Sequence, residues 1–100
     1  MSTTDIQIDE KVKVVISEPK RWKVILLNDD TTPMEFVIEL LVDVFRHTED
    51  TANDIMLQIH EQGSGIAGTY SFEIAEAKAV EATNQARTKG FPLQIKLEEE

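Results

Sequence analysis

Apolar and polar positions along this chain fall into six periodic segments, after a first stretch of 20 residues with no clear period. An apolar, β-branched run of strand length comes first, and an alternation typical of a half-buried strand comes last. Longer segments between them repeat their apolar positions at helical spacing. The six segments are residues 22–27, 33–46, 48–62, 66–70, 71–88 and 93–97. They predict the order strand, helix, helix, strand, helix, strand.

This order defines the expected fold class. A chain of 100 residues has room for one domain. The most economical packing is an α+β fold, with a three-stranded antiparallel sheet packed on three helices. We therefore expect a compact core over residues 21–100. Residues 1–20 contain no aromatic residue and no glycine and are expected to form a flexible N-terminal extension, with an edge strand over residues 12–16 as the alternative.

Short polar residues indicate where the helices begin. Thr32 is a favourable N-cap, Pro33 suits the first helical position, and Glu35 completes a capping box with Thr32. Thr48 and Ser71 take the equivalent place before the second and third helices. The third helix has a small-sided face that allows close packing on a sheet. That face is formed by Ala75, Ala79, Ala82 and Ala86.

Charge and composition narrow the function. The formal net charge is −9, which argues against binding the phosphate backbone of nucleic acid or an anionic membrane surface. The chain has no cysteine, so disulfides and thiolate metal sites are excluded. It shows no apolar run near the ~20 residues that a membrane span needs, and it does not begin with the pattern of a secretory signal. We expect a cytoplasmic protein.

Catalytic and metal-binding patterns are missing from the sequence. His47 and His60 are 13 positions apart and match no zinc spacing. The polar run of residues 28–32 lacks the glycine and the distal glutamate of a calcium loop. Ser64 lies between two glycines, but no nucleophile elbow or phosphate-binding lysine surrounds it. These observations favour a binding module over an enzyme and predict no cofactor and no metal.

The most suggestive feature is the cluster Asn28-Asp29-Asp30, between the first strand and the first helix. Its simplest interpretation is a turn, because Asn and Asp side chains bond nearby backbone amides. A second interpretation includes Met34 and Val37, one turn apart on the first helix. The matching group on the second helix is Met56, Ile59 and His60. Together they would place carboxylates and an imidazole beside an apolar hollow, suited to a ligand with one cationic end and one apolar side chain.

The residues around this cluster resemble a known family. The stretch KVILLNDDTTPMEFV over residues 23–37 resembles the characteristic motif of the Clp protease adaptor family, ClpS. Further matches occur in residues 56–63, in residues 73–78 and at Pro92-Leu93. The resemblance covers about residues 21–98 and implies an adaptor of the bacterial N-end rule.

Members of that family capture proteins through an N-terminal Leu, Phe, Tyr or Trp and pass them to the AAA+ unfoldase ClpA, which feeds the ClpP peptidase. The resemblance implies such an adaptor here, without bond chemistry of its own and acting as a monomer. It assigns the α-amine of the substrate to Asn28, Asp29 and His60. It assigns the side-chain pocket to Asp30, Thr32, Met34, Val37, Met56, Ile59 and Leu93. Glu73 and Lys78 match positions that contact the N-terminal domain of the unfoldase.

Two positions depart from the expected pattern, and two alternatives stay open at this point. Ile59 stands where a valine is expected in the pocket wall, and Glu61 follows His60 where an aromatic or neutral residue is usual. One alternative is a structural interaction domain of similar fold, such as a ribosomal stalk-like domain, which would not need Asn28, Asp29 and His60 together. The other is a small enzyme using Asp29 and His60, for which the sequence offers no recognisable nucleophile.

Overall fold

A computed structural model describes residues 19–100 of the chain. Its elements are β1 (Trp22–Leu27), α1 (Met34–Asp43), α2 (Glu49–Gln62), β2 (Ser64–Tyr70), α3 (Phe72–Thr88) and β3 (Gln94–Glu99). Their order is the predicted one. The expected N-terminal extension over residues 1–20 lies outside the described residues, except for Pro19 and Lys20.

β1 is the central strand of the sheet, with β2 on one side and β3 on the other, and both pairings are antiparallel. Where β1 ends, Leu27 pairs with Ser64 of β2 and with Gln94 of β3. The expected α+β fold, a three-stranded antiparallel sheet with three helices, is therefore confirmed. This register places the beginnings of β2 and β3 next to the polar cluster after β1.

The core lies between the sheet and the helices. Val24 and Leu26 of β1 are completely buried, as are Leu40 and Leu41 of α1. The completely buried residues of α3 are Ala75, Ala82 and Ala86, and Ala79 is half-buried. α3 contacts all three strands, so its small-sided face packs on the sheet as the sequence predicted.

The first helix begins differently from the prediction. α1 starts at Met34, and Pro33 at its N-cap has extended backbone angles (φ −67°, ψ 144°) and no side-chain cap bond. Thr32, the predicted cap, instead donates its hydroxyl to the carboxylate of Asp29. The predicted capping box of Thr32 and Glu35 is wrong, because Asp29 holds the Thr32 side chain on the preceding turn and away from the helix amides.

The beginnings of α2 and α3 also differ from each other. Thr48 caps α2 by accepting a hydrogen bond from the amide of Thr51 (3.2 Å), as predicted. Ser71 precedes α3 with extended backbone angles but makes no side-chain cap bond. The predicted N-cap position of Ser71 is therefore confirmed, but without a side-chain bond. Because Ser71 is exposed, water can satisfy the helix amides there instead. Within residues 19–100, no helix combines the length and the apolar character needed to span a bilayer.

Two long-range hydrogen bonds hold the connection between α1 and α2. The ammonium group of Lys78, on α3, donates to the carbonyl of Val44 just after α1 (2.7 Å). His47 bonds through Nε2 to the carbonyl of Ala67, which lies where the register of β2 against β1 shifts by one residue. These contacts fix the end of α1 that lies farther from the polar cluster.

Candidate functional site

The polar cluster after β1 forms a tight turn organised by one carboxylate. Oδ1 of Asp29 accepts hydrogen bonds from the backbone amides of Thr31 (2.8 Å) and Thr32 (2.7 Å). Oδ2 of Asp29 accepts the hydroxyl of Thr32 (2.8 Å). The turn interpretation of the sequence is therefore confirmed. Since an ionised carboxylate has about four acceptor sites, Asp29 retains capacity for one further donor.

The surroundings of Asp29 keep its carboxyl group ionised. Burial raises the pKa of this group, but the hydrogen bonds from the amide and hydroxyl of Thr32 and from the amide of Thr31 lower it. The positive charge of Arg87 also lowers this pKa. The net result is a pKa below the ordinary value of 3.8, so Asp29 carries a negative charge at neutral pH.

A backbone hydrogen bond joins this turn to the end of α2. The amide of Asn28 donates to the carbonyl of Gly63 (2.9 Å), and Gly63 ends α2 in the left-handed conformation (φ 90°). Ile59 and His60 occupy the last turn of α2. The bond therefore brings the end of α2 that carries these two residues to the polar turn.

A small cavity lies beside the turn. It is lined by Leu27, Asn28, Asp29, Thr32, Val37, Ile59 and Leu93. Its volume is about 10 Å³, roughly the room for one water molecule. Residues from β1, the turn, α1, α2 and the segment before β3 thus combine carboxylate, amide and aliphatic groups around one hollow.

Every lining residue except Leu27 belongs to the set predicted from the sequence. Leu27 was missed because an unbroken apolar run such as residues 22–27 does not show which face each side chain takes. Its place as the last strand residue before the polar cluster was the available signal.

The other predicted pocket and amine residues do not line this cavity. Met34, the first residue of α1, is 43% exposed, whereas Met56 of α2 is 7% exposed and belongs to the core. Asp30 and His60 are exposed. Met34 is therefore free to change its side-chain rotamer, while Met56 is held by its neighbours in the core.

α3 carries the two residues predicted to contact an unfoldase. Glu73 is exposed in its first turn. Lys78 is half-buried, with its ammonium group bonded to Val44 and 5.4 Å from the centre of the Tyr70 ring. The exposed large apolar residues of this helix are Phe72, Ile74 and Val80. Of these two predicted contact residues, only Glu73 is exposed, because Lys78 is bonded within the fold.

Fold and site together define a small α+β binding module, in which the turn that holds the ionised Asp29 carboxylate borders an apolar cavity. Among residues 19–100, no three histidine or carboxylate side chains are grouped so that they could hold a metal ion. A family model described as ATP-dependent Clp protease adaptor protein ClpS matches residues 17–96. The chain belongs to this ClpS family, and it is an adaptor and not an enzyme.

Individual relatives agree with this assignment. An ATP-dependent Clp protease adapter protein ClpS from Wolinella succinogenes is 41% identical over 96 residues, which cover 96% of this chain and 94% of that protein. The protein of the same description from Campylobacter jejuni is 52% identical over 85 residues, covering 85% of this chain and 88% of that protein. These relatives favour the adaptor interpretation over the ribosomal stalk-like domain and the small enzyme.

A solved structure supports the same fold. Agrobacterium tumefaciens ClpS2 bound to L-phenylalaninamide is 47% identical in sequence and matches with a TM-score of 0.80. The match covers 83% of this chain and 100% of that chain. The fold is therefore shared over almost the entire described part of this chain.

Proposed function

We propose that this adaptor recognises proteins by an N-terminal Leu, Phe, Tyr or Trp and delivers them to a ClpA-type unfoldase and the ClpP peptidase. The observation that carries the proposal is that the ionised carboxylate of Asp29, held in its turn by hydrogen bonds, lies at the edge of an apolar cavity. A substrate N-terminus offers a cationic amine beside a side chain, which is the combination this site suits.

The amine half of the proposal rests on charge and on free acceptors. A free α-amine has a pKa near 7.7–8.0 and is largely protonated at neutral pH, with three donors to place. Asn28, Asp29 and His60 receive them in the proposed complex. Asp29 supplies the negative charge together with its remaining acceptor site. Charge-assisted hydrogen bonds of this kind contribute about 1.5–3 kcal/mol each.

The side-chain half of the proposal rests on the cavity. The first side chain of the substrate enters between Val37, Ile59 and Leu93, with Leu27 as an additional wall. Burying a Leu or Phe side chain contributes about 1.5–3 kcal/mol. A cavity of about 10 Å³ must widen to admit such a side chain. The solved ClpS2 complex contains L-phenylalaninamide, which offers an aromatic side chain and a free amine.

The remaining predicted pocket residues have separate roles in this proposal. Asp30 and Thr32 shape the polar side of the entrance, and Met56 supports the wall from the core. Met34 excludes a first residue that branches at Cβ, such as Ile or Val, since branching widens the part of the side chain nearest the backbone.

Delivery is proposed to use α3 and the N-terminal extension. Glu73 and Lys78 contact the N-terminal domain of the unfoldase, and residues 1–20 engage the unfoldase during handover. The protein acts as a monomer in the bacterial cytoplasm, where the Clp machinery and its substrates meet.

Peptide binding tests the recognition step. Four fluorescent peptides of otherwise identical sequence begin with Leu, Phe, Ile or N-acetyl-Leu, and their affinities are measured by fluorescence anisotropy. We expect the Leu and Phe peptides to bind, and the other two to bind at least about a hundredfold more weakly. The N-acetyl-Leu peptide would cover the acceptors of the site without offering them the donors of a free amine, and the Ile peptide would clash through its branched Cβ. Equal affinity for all four, or binding of none, would contradict the proposal.

A further inference from the structure

The wall of the cavity includes a residue that belongs to no helix or strand. Leu93 is 1% exposed and lines the cavity, yet it lies in the connection between α3 and β3. The amide of Phe91 is bonded to the carbonyl of Ala86 (2.8 Å), and the strand pairing begins only at Gln94. The exact position of Leu93 therefore depends on the contacts that hold the connection between these two points.

One guanidinium group spans that connection. Nη1 of Arg87, in the last turn of α3, donates to the carbonyl of Phe91 (2.9 Å) and to the carbonyl of Leu93 (2.8 Å). The Phe91 ring packs edge-to-face on Phe36 of α1, with ring centres 4.9 Å apart. The ring contact holds one side of the connection, and Arg87 is the side chain that reaches the backbone of Leu93 itself.

The same guanidinium group also acts on Asp29, which is proposed to bind the α-amine of the substrate. Its charge is one of the causes that lower the pKa of Asp29. Arg87 therefore bonds to the backbone of Leu93, whose side chain forms part of the apolar wall. It also acts electrostatically on the carboxylate of Asp29, although it does not line the cavity itself.

We propose that Arg87 is a positioning residue for substrate selection: by holding the Leu93 carbonyl, it fixes the Leu93 side chain as a wall of the first-residue pocket. The inference deepens the proposed N-terminal recognition and rests on it. When Arg87 is absent, Leu93 moves away from the cavity and the pocket becomes wider. The side chain of a first-residue Leu then loses its contact with Leu93, whereas the larger ring of a first-residue Phe still fills the wider pocket.

The test compares two peptides on three proteins. Affinities of the Leu and Phe peptides are measured by anisotropy for the full-length wild type, for Arg87→Met and for Lys89→Met. Lys89→Met removes the same charge from the same end of α3 but no bond to Leu93, because Lys89 pairs with Glu39 (3.3 Å). We expect Arg87→Met to weaken Leu binding by about tenfold and Phe binding by less than about threefold, as for a misfit of one or two methylenes. Lys89→Met should leave the ratio of the two affinities unchanged.

The ratio separates positioning from a merely structural role. A variant that only lowers the folded, competent fraction raises both dissociation constants by the same factor. If Arg87→Met does not fold, Arg87→Lys takes its place. We then expect the ratio of Leu to Phe affinity to change in the same direction by about threefold, since an ammonium keeps the charge but not the guanidinium geometry. An unchanged ratio, or an equal change in Lys89→Met, overturns the inference alone. Wild-type protein that binds neither peptide overturns the proposed function and this inference together.

Discussion

At the scale of single residues, Asp29 has a structural and an electrostatic role at once. Three hydrogen bonds from Thr31 and Thr32 close the turn around its two oxygens. The same bonds stabilise the ionised form, so that the group which organises the turn is also the charge that faces the cavity. A substitution that separates the two roles is therefore informative.

Asp29→Asn and Asp29→Ala make this separation. Asparagine keeps an oxygen that can accept the amide of Thr32, but it removes the charge. We expect Asp29→Asn to stay folded and to bind the Phe peptide at least about tenfold more weakly, the loss of one charge-assisted bond. Asp29→Ala should lose both affinity and stability. Anisotropy and thermal unfolding measure the two effects, and an Asp29→Asn protein with wild-type affinity would show that the amine site is misassigned.

The pKa of Asp29 also predicts how stability depends on pH. Because the pKa in the folded state is below the ordinary value of 3.8, ionised Asp29 stabilises the fold at every pH above that value. This contribution is lost as the pH falls below 3.8 and then through the folded-state pKa. Urea unfolding of wild type and Asp29→Asn should therefore differ at pH 7, and the difference should shrink as the pH falls below 3.8. A difference that is constant with pH would show that Asp29 ionisation does not contribute.

At the scale of elements, the approach of β2 to α2 sets the space around Ile59. A Cβ added at Gly65 would lie 2.7 Å from Cγ1 of Ile59, and Gly65 is buried. Glycine at this position lets the beginning of β2 pass directly beside a residue of the cavity wall.

Gly65→Ala tests this contact. We expect a loss of about 1–3 kcal/mol in the free energy of unfolding, the usual cost of overpacking, and weaker binding of the Leu and Phe peptides because Ile59 is displaced. Ser64→Ala, on the neighbouring residue of β2, is the control and should leave both properties near wild type. Normal peptide affinity in Gly65→Ala would show that the position of Ile59 does not matter for the pocket.

Lys78 connects α3 to the end of α1, which gives it a role in stability apart from any partner. Lys78→Met removes the hydrogen bond to the Val44 carbonyl, and we expect a loss of about 1–2 kcal/mol in the free energy of unfolding. Glu73→Gln changes an exposed residue and should leave stability unchanged. If both variants unfold like the wild type, the bond to Val44 contributes nothing; if both bind the unfoldase normally, the proposed contact on α3 is wrong.

At the scale of the whole molecule, the features that depend on local periodicity could be predicted from the sequence. The order of the elements, the alanine face of α3 and the turn at Asp29 are of this kind, and the structure confirms them. The capping role of Thr32 was wrong because Asp29, three residues earlier, competes for its hydroxyl. The role inferred for Leu27 depends on which face of the strand meets the cavity, and an unbroken apolar run does not show this. The role inferred for Arg87 depends on hydrogen bonds to the backbone carbonyls of Phe91 and Leu93, and the sequence does not mark which carbonyl a side chain will bond.

Reconstituted degradation is the sharpest test of the proposed adaptor function, since it requires recognition and delivery together. Two reporter proteins differ only in whether they begin with Phe or with Ile, and each is incubated with a ClpA-type unfoldase, ClpP and ATP. We expect that adding this adaptor accelerates degradation of the Phe reporter and leaves the Ile reporter unchanged, and that Asp29→Ala abolishes the acceleration. Equal rates for both reporters, or full acceleration by Asp29→Ala, would show that the first residue is not recognised at this site.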